Sequence, residues 1–191
     1  MKIRVLCALF AAFVLAASQT AWAGEALDTL KVTVDEVLTI LKTPAGTPGR
    51  EDKLVAAASR VFDPEELARR TVATHWQSFT PDERARFTGA FVKLLERTYL
   101  RRMEAYPNAR VVYLSESALS ENQAEVSTKI IASREVPIVY RFIKKTDWKV
   151  YDVVIEGVSL VQNYRNQFNQ ILASRSPAEL ISRIESMGQA Q

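Results

Sequence analysis

The only cysteine in the sequence is Cys7, and it lies in a segment that reads as a removable export signal. Lys2 and Arg4 make a positive start, Val5 to Ala17 is an unbroken apolar run, and Ala21-Trp22-Ala23 is a small-x-small cleavage site. The run is too short to span a bilayer, which takes roughly 20 residues. Bulky Leu6 before Cys7 and the apolar run after it argue against a lipid-anchored cysteine. With residues 1–23 removed, 24–191 holds no cysteine. No disulfide can then brace it, and a hydrophobic core must hold it together. The length suits one domain.

Other scarcities remove other chemistry. His75 is the sole histidine, so a Cys/His zinc cluster is excluded and no metal is expected. The six glycines include no pair at the spacing of a dinucleotide loop or a P-loop, which excludes a nucleotide site of those kinds and leaves no cofactor to expect. The formal charge of +3 falls to +1 when Lys2 and Arg4 leave with the signal. A near-neutral mixture lacks the clustered positive field of a nucleic-acid binder. An exported chain with no second apolar span is expected to be a soluble protein of a bacterial periplasm.

What is present is a sharp change of period. From Glu25 to Lys42, apolar residues recur at helical spacing. A loop with two prolines and two glycines follows, Thr43 to Gly49, and a second helix is expected over Arg50 to Val61. Asp63-Pro64-Glu65-Glu66, Thr80-Pro81-Asp82-Glu83 and Ser176-Pro177-Ala178-Glu179 each read as N-cap, proline and first-turn acid. The second of these opens the longest helix, to about Ala105. After Pro107 the period becomes that of strands: Ala109 to Ser115, Gln123 to Ile131, Val136 to Lys144 and Trp148 to Glu156. Short connections predict an antiparallel meander. Gly157 breaks the last strand and Ser159 can cap a further helix. The expected fold is α+β, a single domain with a roughly four-stranded antiparallel sheet and helices before and after it packed on one face.

No catalytic set assembles from these residues. Gly157-Val158-Ser159-Leu160-Val161 resembles half a nucleophile elbow but lacks the second glycine, and a helix cap explains Ser159 better. Asp152 and Glu156, four apart on a strand, stand ~13 Å from each other, too far to share a reaction. The aromatic residues are more informative. Phe91, Leu95 and Tyr99 lie on the long helix, and Tyr164 and Phe168 on the helix after Gly157. Val126, Ile130, Ile138, Tyr140 and Phe142 lie on the apolar side of alternating strands, and Tyr151, Val153 and Ile155 form one phase of the last strand. Such a set either fills a core or walls an apolar ligand cavity, with tyrosine hydroxyls as its polar points. Arg97, Arg101 and Arg102, and Lys144, Lys145 and Lys149, are surface cations that can meet phosphate headgroups or an acidic partner.

Trp148-Lys149-Val150-Tyr151-Asp152-Val153-Val154-Ile155-Glu156-Gly157-Val158-Ser159-Leu160-Val161, followed by Asn163-Tyr164-Arg165 and Phe168, closely resembles the signature of the MlaC family, also described as the toluene-tolerance family. His75-Trp76, Thr80-Pro81, Arg84, Arg86-Phe87, Phe91, Leu94-Leu95 and Thr98-Tyr99-Leu100 extend the resemblance upstream. One departure is visible: Val72-Ala73 stands where the family pattern expects Leu-Gly. The resemblance implies an apolar lipid cavity between sheet and helices, no catalysis and no cofactor. It implies a periplasmic phospholipid carrier serving an outer-membrane lipoprotein–porin complex and an inner-membrane ABC transporter with an MCE-domain ring. Read from the residues alone, a carrier of an isoprenoid or hopanoid lipid stays open, as does a weak esterase using Ser159.

Overall fold

A computed structural model describes residues 24–104 and 108–187; the expected signal, residues 1–23, lies outside them. Helices α1 (Glu25–Leu41), α2 (Arg50–Val61), α3 (Pro64–Val72) and α4 (Pro81–Glu104) precede strands β1 (Arg110–Ser120), β2 (Gln123–Ile131), β3 (Glu135–Lys144) and β4 (Trp148–Ile155). A two-residue strand β5 (Val158–Ser159) and helices α5 (Leu160–Leu172) and α6 (Pro177–Met187) complete the chain. The sheet is antiparallel throughout, in the order β1-β2-β3-β4-β5, so the expected α+β meander is present with one short strand added.

The helix boundaries follow the capping chemistry. Asp63 accepts from the Glu66 N–H at 2.9 Å with Pro64 in the first turn of α3. Thr80 and Glu83 satisfy each other's backbone N–H groups at 2.9 and 3.2 Å, a reciprocal capping box at the start of α4. Ser176 and Glu179 repeat it at α6. The added strand comes from Glu156 (φ 51°) and Gly157 (φ 82°), which form a two-residue hairpin turn bringing Val158 opposite Ile155.

The apolar residues divide into two clusters. In one, α3, α4, α5 and α6 pack around Phe87, Phe91 and Phe168, whose rings meet at centroid separations of 5.7–6.0 Å. In the other, α1 lies over one face of the sheet, with Leu30 and Ala26 against Ala124, Val126, Phe142, Trp148 and Val150. Phe62 packs against both clusters. It also bridges to Val150, and the Asp63 N–H donates to the Val150 carbonyl at 3.1 Å, so the outer edge of β4 is partly covered. β1 is the free edge, interrupted by irregular register at Tyr113/Ser115 and Ala118/Ser120; bulges of this kind discourage edge-to-edge pairing.

Candidate functional site

The seam between α1 and the sheet changes character along its length. Cross-strand pairing stacks Ala124 with Phe142, Val126 with Tyr140, and Phe142 with Val150. At that end the side chains are sealed: Val126, Phe142 and Val150 are 0% exposed and Leu30 is 2%. Toward the other end of the strands the same face carries Tyr113, Ile130, Val136, Tyr140 and Ile155, all only partly buried although packed against the cluster. Val34 on α1 and Leu160 at the start of α5 join them. The seam is therefore closed at the N-terminal end of α1 and open at its C-terminal end. A cleft of about 410 Å³ lies there, bounded by Asp35, Leu38 and Lys42 on one side and Asn108 to Val111 with Tyr113 on the other.

Two tyrosines describe the interior of this seam. Burial pushes the Tyr140 hydroxyl up to about 12, with neighbouring Tyr113 adding to the shift, yet the side chain keeps accessible surface. Burial, with the charge of Asp35 behind it, likewise raises Tyr113 to about 12. The Tyr113 hydroxyl is itself buried and has no hydrogen-bond partner among the described residues. An unmatched buried hydroxyl costs about 1–3 kcal/mol, so a ligand oxygen placed there would be bound by it.

The residues expected to line one cavity fall into three places. Val126, Ile130, Ile138, Tyr140, Phe142, Val153 and Ile155 share the sheet face under α1. Phe91, Tyr164 and Phe168 belong to the helical cluster, with Leu95 packed on it; Tyr164 meets Phe91 edge-on at 5.1 Å. Burial, and the neighbouring Tyr164, raise the half-exposed Tyr99 hydroxyl, which ties the far half of α4 to α5. Tyr151 leaves the phase of Val153 and Ile155. A bulge places Phe142 opposite Val150 and Arg141 opposite Asp152, so Tyr151 is the extra residue. Its ring lies instead 3.9 Å beneath the Arg70 guanidinium.

Around Tyr151 is a second, polar cleft of about 450 Å³, and its charged side chains are held by hydrogen bonds within the protein. Asp152, only 3% exposed, accepts from the Val161 N–H at 3.0 Å, the Ser159 hydroxyl at 2.7 Å and Arg141 at 3.2 Å. Arg70 donates to Glu66 at 2.7 Å, and Arg165 to the Arg70 carbonyl at 2.8 Å. Ser159 thus caps α5, accepting from the Gln162 N–H at 3.0 Å while donating to Asp152. The hairpin lysines are similarly occupied: Lys144 bonds Glu25 at 2.7 Å, Lys145 bonds Asp63 at 2.5 Å, and Lys149 bonds the Arg60 carbonyl. Arg102 lies over the Tyr99 ring at 5.6 Å. Among the described residues no group of three or more His, Cys, Asp or Glu could hold a metal ion, and no helix is long and apolar enough to cross a membrane.

The model of the MlaC protein family matches residues 31–186, which takes in most of α1, the sheet and the helical cluster. The chain belongs to the MlaC family. A solved structure from Ralstonia solanacearum, described as a phospholipid-binding protein in complex with a phospholipid, shares the fold with a TM-score of 0.80. It is 25% identical, and the match covers 86% of this chain and 97% of that one. The intermembrane phospholipid transport system binding protein MlaC of Haemophilus influenzae is 27% identical over 128 residues, 63% of this chain and 60% of that protein. The present chain thus spans about three fifths of the length of that curated relative. Ala73, which follows the last residue of α3, has φ 47° and ψ −118°, a conformation that favours glycine.

Proposed function

We propose that the protein is a soluble periplasmic carrier of glycerophospholipid that holds the acyl chains between α1 and the sheet. The observation that carries this reading is the graded seam: one continuous apolar face, sealed at one end, accessible at the other, and walled there by Tyr113, Ile130, Val136, Tyr140 and Ile155. The phospholipid held by the Ralstonia structure of the same fold supports it. Exposing about 30 methylene groups to water at ~0.8 kcal/mol each costs on the order of 20 kcal/mol. A diacyl lipid therefore crosses an aqueous compartment only when enclosed. Transfer from bilayer to seam exchanges one apolar medium for another, so it needs no chemical step in the carrier, and the reading assigns no catalysis and no cofactor. Its partners are an outer-membrane lipoprotein–porin complex and an inner-membrane ABC transporter with an MCE-domain ring, between which it shuttles.

Lining residues on this reading are Ile130, Ile138, Tyr140, Val153 and Ile155, with Val126 and Phe142 as the floor. Phe91, Leu95, Tyr164 and Phe168 belong to the helical cluster that flanks the seam, and Tyr99 joins it through Tyr164. The test is Ile130→Trp. At an open wall the larger ring has room, so the variant stays folded and loses co-purified lipid. An unchanged lipid content in a folded variant would overturn the placement.

A further inference from the structure

The open end of the seam differs chemically from its floor. Asp35 and Leu38 on α1 and Lys42 at its C-cap recur at i, i+3 and i+7, and all three border the cleft. Across it stand Arg110 and Tyr113 of β1. Asp35, Lys42 and Arg110 are exposed, and none forms an ion pair among the described residues. Asp35 and Lys42 are two helical turns apart, on the order of 10 Å along the axis, too far to neutralise each other. The cleft thus presents cationic groups, a carboxylate and the unmatched Tyr113 hydroxyl beside the partly buried end of the seam. By contrast, Arg70 and Arg141 of the polar cleft beside Tyr151 are already paired with Glu66, Glu125 and Asp152, and Arg165 donates to the Arg70 carbonyl.

From this arrangement we infer that the cleft is a headgroup site for zwitterionic lipids carrying a primary amine. Lys42 and Arg110 take the phosphodiester, the Tyr113 hydroxyl donates to a phosphate or ester oxygen, and Asp35 takes the ammonium. The inference rests on the carrier reading and deepens it. A lipid with an uncharged alcohol headgroup satisfies the cations but leaves Asp35 facing net negative charge, so Asp35 is the residue that discriminates. The cations alone would hold either class.

The test loads the mature protein from vesicles containing equal fractions of phosphoethanolamine and phosphoglycerol lipids of one acyl composition. The protein is re-isolated and the bound lipid quantified by mass spectrometry. An exposed ion pair of this kind predicts about a threefold preference for the amine-bearing lipid. Asp35→Asn should erase that preference while total lipid stays constant, and Lys42→Ala with Arg110→Ala should lower the uptake of both lipids. Inorganic phosphate should leave the preference as it is in sodium chloride of the same ionic strength, where screening is equal. Equal uptake by the unaltered protein, or a preference that survives Asp35→Asn, overturns the headgroup site while leaving the carrier reading intact. Loss of the preference in phosphate but not in the matched chloride also overturns it, since the cleft would then be a general anion site. Uptake of neither lipid by the unaltered protein would overturn both.

Discussion

Glu116, on the edge strand, caps the first helix from 89 residues away: its Oε2 accepts from the Leu27 N–H at 2.8 Å and its Oε1 from the Gly24 N–H at 3.2 Å. Helix α1 has no side-chain cap of its own, so the carboxylate from β1 satisfies donors that would otherwise be free. Glu25 adds a second tie, accepting from Lys144 at 2.7 Å and from the Trp148 indole at 3.0 Å. Both contacts fasten α1 at the sealed end of the seam.

Removing that cap should loosen the helix over the sheet. Glu116→Ala is expected to cost about 1 kcal/mol of stability, read as a lower urea midpoint. With cleavage after Ala23, Gly24 would carry the free ammonium. A processed chain should then lose more on this substitution than one extended at its N-terminus. Equal losses in the two forms would remove the role of the terminal charge.

Ala73 occupies a backbone conformation that suits glycine, with φ 47° and ψ −118°. Holding a side chain there costs of order 1–3 kcal/mol, against the smaller entropic cost that glycine adds to the unfolded chain. Ala73→Gly should therefore raise stability by about 1 kcal/mol, and calorimetry should show a higher midpoint. A lower midpoint would mean that the turn is not under strain.

Glu179 gives a pH dependence of definite sign. Its bond from the Ser176 N–H, then those from Arg175 and the Ser176 hydroxyl, lower its pKa from 4.5 to about 2. A depressed carboxyl stabilises the fold above its unfolded pKa, and that contribution disappears as pH falls from about 4.5 through about 2. Glu179→Gln should flatten the stability profile in that window. A profile parallel to that of the unaltered protein would show that the capping box at α6 contributes nothing.

Asp152 joins β4, α5 and Arg141 while almost fully buried. Asp152→Ala leaves Arg141 and the Val161 N–H without that acceptor, and should cost about 3 kcal/mol, measurable as a lower denaturant midpoint. Ser159→Ala removes the cap and the hydrogen bond to Asp152, and should cost about 1–3 kcal/mol without lowering lipid content. A fall in lipid content with Ser159→Ala would give that hydroxyl a role beyond these bonds.

Local chemistry was readable wherever the information was local. The Asp63, Thr80 and Ser176 caps are each written in four consecutive residues, and the alternation from Ala124 to Ile130 shows which face of β2 is buried. Features that depend on distant partners were not. The phase of Tyr151 is reversed by a bulge whose cause lies in the pairing with Arg141 and Phe142, and Val150 and Val154 hid it by being apolar too. The second half of β1 carries no apolar period because it is the exposed edge, so its length could not be read. Phe91 and Phe168 look the same in sequence whether they wall a hollow or fill a core; only their ring packing with Phe87 places them. The headgroup candidates Asp35, Lys42 and Arg110 come from two elements that no motif connects.

The most direct measurement is native mass spectrometry of the mature protein purified from cells, with the bound species released and fragmented. The carrier account predicts a stoichiometric glycerophospholipid on the unaltered protein and its loss from a folded Ile130→Trp variant. An isoprenoid or hopanoid in its place, or a protein that carries no lipid at all, would contradict it.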